Sequence, residues 1–239
     1  MKLAGKKVVV IGGSSGIGLG IALGSAEAGA EIIIASRSIE KLERAQTQFH
    51  GNTQALLVDL ADEVSVQSLI SQVGAMDHLV LTGAPPKHGA FLELAISTAR
   101  EDFEVNFWGK YYAARYSAPH IRPGGSIIFI SGAYTRKPNP DAVVSVASLS
   151  AIEALGRALA LALSPIRVNT IAPGLIDTPM VMPDLPPAQR AETLASIAQQ
   201  FPSKSFGQPA DVAQAALFLM TTPFMTGTTI RVDGGYTIT

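Results

Sequence analysis

Short apolar runs and amphipathic segments of helical length alternate along the whole chain. Val8-Val9-Val10-Ile11 and Ile32-Ile33-Ile34 are unbroken and β-branched, as expected of strands covered on both faces of a parallel sheet. Strands are predicted at Lys7–Gly12, Glu31–Ala35, Ala55–Val58, His78–Thr82, Ser126–Ser131, Arg167–Ile171 and Thr228–Val232. Helices are predicted at Ile17–Ala28, Ile39–Phe49, Glu63–Gln72, Thr98–Ala118, Ala142–Leu163, Ala188–Gln199 and Pro209–Met220. This alternation predicts an α/β fold: a Rossmann-type, doubly wound, seven-stranded and mostly parallel sheet with helices on both faces, in three α/β/α layers. The 239 residues suit a single domain, 1–239.

One region breaks the pattern. Pro173–Gln208 carries Pro173, Pro179, Pro183, Pro186, Pro187 and Pro202 around one short helix. A long stretch after a strand end suits a lid or binding loop, and Met180, Val181, Met182, Leu185 and Phe201 are apolar enough to exclude water from a hydrophobic substrate. A substrate lid is therefore expected at 179–208, with simple packing of a long loop as the other reading. Ala142–Leu163 is the longest apolar segment, but Glu153, Arg157 and its many Ser and Ala residues fit a helix inside the protein or between subunits better than a bilayer span.

A formal charge of −1, with 15% charged residues, provides no field for nucleic acid or an anionic membrane, so neither is expected as a partner. The absence of cysteine excludes disulfides, thiolate zinc sites and a cysteine nucleophile, and fits a reducing cytoplasm. MKLAGKK leads straight into the first strand with no signal-peptide pattern, so a mature cytoplasmic start is expected. The four histidines lack metal-ligand spacing, and no metal is expected; His88, after the fourth strand, is the one placed to touch substrate.

The first chemical signal is Gly12-Gly13-Ser14-Ser15-Gly16-Ile17-Gly18, between the first strand and the first helix. Glycines there let a pyrophosphate approach the free N–H groups of the helix start. At the end of the second strand stand Ser36 and Arg37, where an acid would select NADH. A guanidinium can bind a 2′-phosphate that a carboxylate would repel, so NADPH/NADP+ is the expected cofactor. Asp59, after the third strand, either accepts from an adenine amino group or caps the following helix.

These motifs, in this order, resemble the short-chain dehydrogenase/reductase family over essentially the whole chain. The glycine pattern is similar to its T-G-x-x-x-G-x-G with Ile11 in place of threonine; Val105-Asn106 resembles its structural and catalytic asparagine. Arg167-Val168-Asn169 and Ala172-Pro173-Gly174 with Ile176 and Thr178 resemble the segment that binds the nicotinamide carboxamide, and Val232-Asp233-Gly234-Gly235 resembles the family's C-terminal end. The resemblance implies cofactor contacts from Gly12, Ser14, Ser15, Gly16, Ile17, Gly18, Ser36, Arg37, Asp59, Leu60, Gly83, Pro173, Gly174, Ile176 and Thr178. It also implies a homodimer or homotetramer. The small residues Ala147, Ser148, Ala151, Ala154 and Ala158 would permit close helix approach.

The departures lie where chemistry is expected. Against the family's Y-x-A-S-K, Ser145 stands at the tyrosine and Leu149 at the lysine; the usual serine position falls on Gly132, one residue after Ser131. This resembles an atypical subgroup of NADPH binders, some similar to imine reductases. Without the tyrosine, acid–base help of about 10²–10⁴-fold is missing, while hydride transfer, which belongs to the cofactor, survives. The candidate catalytic residues are Asn106, Ser131, Tyr134 and Ser145, although serine is far too weak an acid to replace tyrosine directly. Arg136 and Lys137 are candidates to stabilise negative charge, and Asp141 to cap the next helix. Tyr134, Trp108, Tyr111 and Tyr112 also suit packing. The expected function is NADPH-dependent reduction of a small, largely apolar carbonyl, imine/iminium or enone. The alternative is a catalytically silent NADP(H)-binding sensor or regulatory subunit.

Overall fold

The computed structural model describes residues 2–51, 53–182 and 184–239. Strands β1 (Lys7–Ile11), β2 (Glu31–Ser36), β3 (Thr53–Leu57), β4 (Met76–Leu81), β5 (Ile121–Ile130), β6 (Arg167–Pro173) and β7 (Thr229–Val232) form one sheet in the order β3-β2-β1-β4-β5-β6-β7. Every neighbouring pair is parallel, with Val8 opposite both Ile32 and His78. The order reverses between β1 and β4, which opens the crevice used for ligands in doubly wound sheets.

Alternation within the apolar runs explains the three layers. Val9, Ile11, Leu79, Leu81, Ile127 and Phe129 share a core on one face; Val8, Val10, Ile32, Ile34, Val80 and Ile128 share the other. The first face carries α3 (Glu63–Val73), α5 (Gly109–Ser117) and α6 (Val143–Ala162). The second carries α1 (Gly16–Glu27), α2 (Ile39–Gln46) and α8 (Pro209–Thr221). Pro140–Ala162 has the length and hydropathy of a bilayer span, yet its Ser145, Ser148, Ile152, Glu153, Gly156 and Ala160 are buried on the protein.

The helix expected at Thr98–Ala118 is interrupted. It comprises α4 (Ile96–Phe103), a π-helical turn at Glu104–Trp108 and then α5. Asp102, Asn106, Gly109 and Lys110 are all buried on the inner face of this interrupted helix. At Gly109 a Cβ would lie 2.3 Å from the Leu60 carbonyl oxygen, so this close approach requires glycine. Other boundaries move by a few residues, and β5 begins at Ile121, before a register shift that restores pairing at His78–Ser126.

The 173–208 region closes at its own neck. Ile176 bridges Gly207, and the Asp177 N–H donates to the Gly207 carbonyl at 2.7 Å. Beyond the neck, α7 (Pro187–Ala198) is clamped by Arg190, which pairs with Asp177 and donates to the carbonyls of Val181 and Thr178. Pro183 lies outside the described residues. Phe201, expected on the lid, packs edge-on against Tyr236 with ring centroids 5.7 Å apart.

Candidate active site

The glycine loop is shaped by close approach. A Cβ on Gly12 would lie 1.8 Å from Thr82 Oγ1, and one on Gly18 would lie 2.1 Å from the Gly12 carbonyl oxygen. Gly12 and Gly16 have φ of +82° and +53°, which disfavour any side chain. Ser15 stands at the N-cap of α1 in an extended conformation, with no side-chain capping bond, which leaves the helix start open for an anion. Ser14 and Ile17 flank it, and Thr178 lies over Gly16, where a Cβ would be 3.1 Å from Thr178 Cγ2.

Beside this loop, Ser36 Oγ at the end of β2 is buried without a hydrogen-bond partner. The neighbouring Arg37 is exposed and makes no ion pair among the described residues. A nucleotide ribose with a 2′-phosphate fits this pair, since it would satisfy the orphaned hydroxyl and take the guanidinium's charge. Asp59 is not the helix cap: its Oδ1 accepts from Ala61 N, and Asp62 caps α3 by accepting from Val64 N. Leu60 is buried beneath Gly109.

Along the opposite wall, Asn106 Oδ1 accepts from the Ala84 N–H at 3.0 Å and lies against Gly83, whose Cβ would fall 2.1 Å away. One turn further, Lys110 Nζ donates to the Ile130 carbonyl at 2.7 Å. Burial pulls the Lys110 ammonium down to about 7, against an opposing attraction from Asp102.

Ser145 is tied to the start of the same helical stretch. Its hydroxyl donates to Asp102 Oδ2 at 2.7 Å and accepts the Lys87 N–H at 2.9 Å, while Ser148 donates to Asp102 Oδ1 at 2.5 Å. Ser148 therefore leaves the small-residue face of α6, on which Ala147, Ala154 and Ala158 remain exposed. Leu149 reaches Gly132, with Cδ1 3.3 Å from where a Cβ would stand. Ser131 and Thr135 donate to the buried Glu153 Oε1 at 2.8 and 2.7 Å.

The loop after β5 divides its candidates. Lys137 is drawn to the C-terminal segment, donating to the Thr239 carbonyl at 2.8 Å with its Nζ 4.5 Å from the Tyr236 ring centroid, so it is not free to stabilise substrate charge. Asp141 is not a cap; Asn139 Oδ1 accepts from its N–H. Tyr134 is half-buried, edge-on to His88 with ring centroids 6.4 Å apart. Pro173 ends β6 and Gly174 and Ile176 follow it; Gly174 abuts Asp233, and a Cβ there would be 2.7 Å from Asp233 Cα. Arg167 and Asn169 do structural work instead, bonding carbonyls at the C-terminal end of α8 and beyond it.

Asp102, Lys110 and Glu153 carry no motif. Their one signal in the sequence is a charged residue at a helical spacing otherwise filled by small or apolar buried residues.

A family model described as enoyl-(acyl carrier protein) reductase matches residues 11–237. The chain belongs to the short-chain dehydrogenase/reductase family. It is 35% identical to L-fucose dehydrogenase of Bos taurus, over 98% of this chain and 90% of that one. Among solved structures, a small-chain dehydrogenase in complex with NADPH is 32% identical, with a TM-score of 0.82 and coverage of 98% and 99%. An NADPH-bound short-chain oxidoreductase from Pseudomonas aeruginosa PAO1, described as containing an atypical catalytic center, is 27% identical, with a TM-score of 0.89 and 96% coverage of both chains. Members of the family are oxidoreductases, and the seven-stranded Rossmann fold is common to them.

Proposed function

We propose that this protein is an NADPH-dependent reductase that works without the family's tyrosine–lysine pair, on a small, largely apolar substrate. The observation that carries the cofactor reading is the orphaned Ser36 Oγ beside the exposed Arg37, which makes no ion pair among the described residues, at the edge of the open glycine loop. NADPH-bound relatives support it. When bound, the cofactor supplies hydride; the chain's own residues bind it, orient it and keep water away.

The Ser145 proton is committed to Asp102, and Leu149 offers only an apolar contact to Gly132. Neither side chain can deliver a proton to a developing alkoxide. An iminium ion needs no proton at the carbon that accepts hydride, which makes imine/iminium substrates the best match. Enones and carbonyls would draw on Tyr134, whose hydroxyl makes no hydrogen bond among the described residues, more readily than on Ser131, whose hydroxyl is held by Glu153. Asn106 would order the Gly83–Ala84 backbone against the cofactor. The 179–208 segment would act as the lid, hinged at the Ile176–Gly207 neck.

The same loss of tyrosine and lysine favours one rival, a silent NADP(H)-binding sensor or regulatory subunit. Stoichiometric NADPH oxidation with a cyclic imine or an activated enone supports the reductase; tight NADPH binding without turnover across such a panel supports the sensor. We further propose a cytoplasmic homodimer or homotetramer assembled through the exposed faces of α5 and α6, where Trp108 stacks on Tyr112. Neither a nucleic acid nor a membrane is part of the proposal.

A further inference from the structure

Lys110 is among the largest fully buried side chains of the described residues, and no carboxylate among them pairs with it. Its Nζ bonds only the Ile130 carbonyl, at 2.7 Å. A buried, unpaired ammonium is costly, and a methionine of similar shape would fill the space without that cost. Its place is equally unusual. Ile130 ends β5 and Gly83 lies just beyond β4, and a Cβ on Gly83 would sit 3.0 Å from Lys110 Nζ. The amine is thus held under the carboxyl ends of two central strands, beside the switch point where such sheets bind the reactive part of a ligand.

We propose that Lys110 is a positioning residue whose protonation is coupled to the redox state of the bound nicotinamide, its ammonium form favouring neutral NADPH over cationic NADP+. The proposal rests on the reading of the cleft as an NADP(H) site. Its physical basis is like-charge repulsion across a poorly solvated gap, which penalises the oxidised ring only while the amine is protonated. An amine titrating near 7 changes charge within the physiological range.

Asp102 is the charged group whose field acts on Lys110; the others stand on neighbouring elements. Asp102 on α4 is held by Ser145 and Ser148, and Glu153 on α6 by Ser131 and Thr135. Glu63 on α3 accepts from Tyr116, and His78 on β4 bonds Ser126. Glu104, in the π-helical turn, acts on Tyr112.

The test is the ratio of dissociation constants, NADP+ over NADPH, measured by calorimetry and nicotinamide fluorescence between about pH 6 and about pH 9. The 2′-phosphate titrates in both forms and cancels in the ratio. Protonated Lys110 raises the ratio, so it should fall about tenfold as pH rises, equivalent to one unit of coupled pKa change. In Lys110→Met the ratio should stay low and flat; in Lys110→Arg, always charged, it should stay high and flat. A flat ratio in the unmodified protein overturns the proposal without any variant being needed, and so does an unchanged slope in Lys110→Met. Failure of both nucleotides to bind at every pH overturns the cofactor reading and this proposal together. Binding with no pH dependence overturns this proposal alone.

Discussion

The Ser145 hydroxyl donates its one hydrogen bond to Asp102 Oδ2, 2.7 Å away, and so serves as an anchor between two helices. The Ser145 hydroxyl oxygen in turn accepts the Lys87 N–H, which fixes the loop after β4 to α6.

Ser145→Ala should therefore act on stability. It leaves a buried carboxylate with one hydroxyl fewer and strands the Lys87 N–H, at a cost of about 1–3 kcal/mol. Urea unfolding should show this loss while the NADPH dissociation constant changes by less than about threefold, under 1 kcal/mol. A large loss of turnover at undiminished stability would return Ser145 to the catalytic machinery.

Gly18→Ala places a methyl 2.1 Å from the Gly12 carbonyl oxygen. The loop must shift to admit it, and the pyrophosphate cradle shifts too. NADPH affinity should drop at least about tenfold, or 1.4 kcal/mol. Unchanged affinity, measured by titration, would mean that the nucleotide lies elsewhere.

His78 is buried, with Nδ1 2.9 Å from Ser126 Oγ. Burial, reinforced by the positive charge of Arg167, lowers it from its ordinary 6.5 to about 4. The folded protein thus keeps it neutral while the unfolded chain takes up a proton, so stability falls as pH drops from 6.5 towards 4. The full change is on the order of 3 kcal/mol. His78→Gln should flatten the unfolding midpoint across that window. Asp77 and Asp233 are held below the usual carboxylate range: burial pushes both up, but hydrogen bonds outweigh it, so their share of acid lability comes at lower pH.

Tyr134→Phe separates substrate classes. With a carbonyl substrate it should lower kcat by about 10²-fold or more, the lower end of what a positioned acid contributes. With a preformed iminium kcat should be unchanged. Equal carbonyl rates for the unmodified protein and Tyr134→Phe would remove Tyr134 as a donor.

The sheet was legible because runs such as Val8–Ile11 and Ile32–Ile34 have few ways to be buried other than as central parallel strands. The glycine loop was legible because its glycines meet backbone and side-chain atoms that no Cβ could tolerate. The buried polar groups were not. Asp102, Lys110 and Glu153 read as ordinary charges of amphipathic helices, and nothing in their local sequence marks them as buried. The π-helical turn at Glu104–Trp108 has no local sequence signal either. Caps are hard to place for a related reason: Asp59 and Asp141 are good capping types, but Asp62 and Asn139 occupy the capping positions.

The central claim is an NADPH-selective cleft, and the most direct measurement is a side-by-side titration of NADPH and NADH, repeated on Arg37→Ala. The account predicts tighter binding of NADPH, with a preference that drops by at least about tenfold in the variant as the 2′-phosphate loses its charge-assisted hydrogen bonds. Equal affinity for the two nucleotides, or a preference that survives the loss of Arg37, would contradict it.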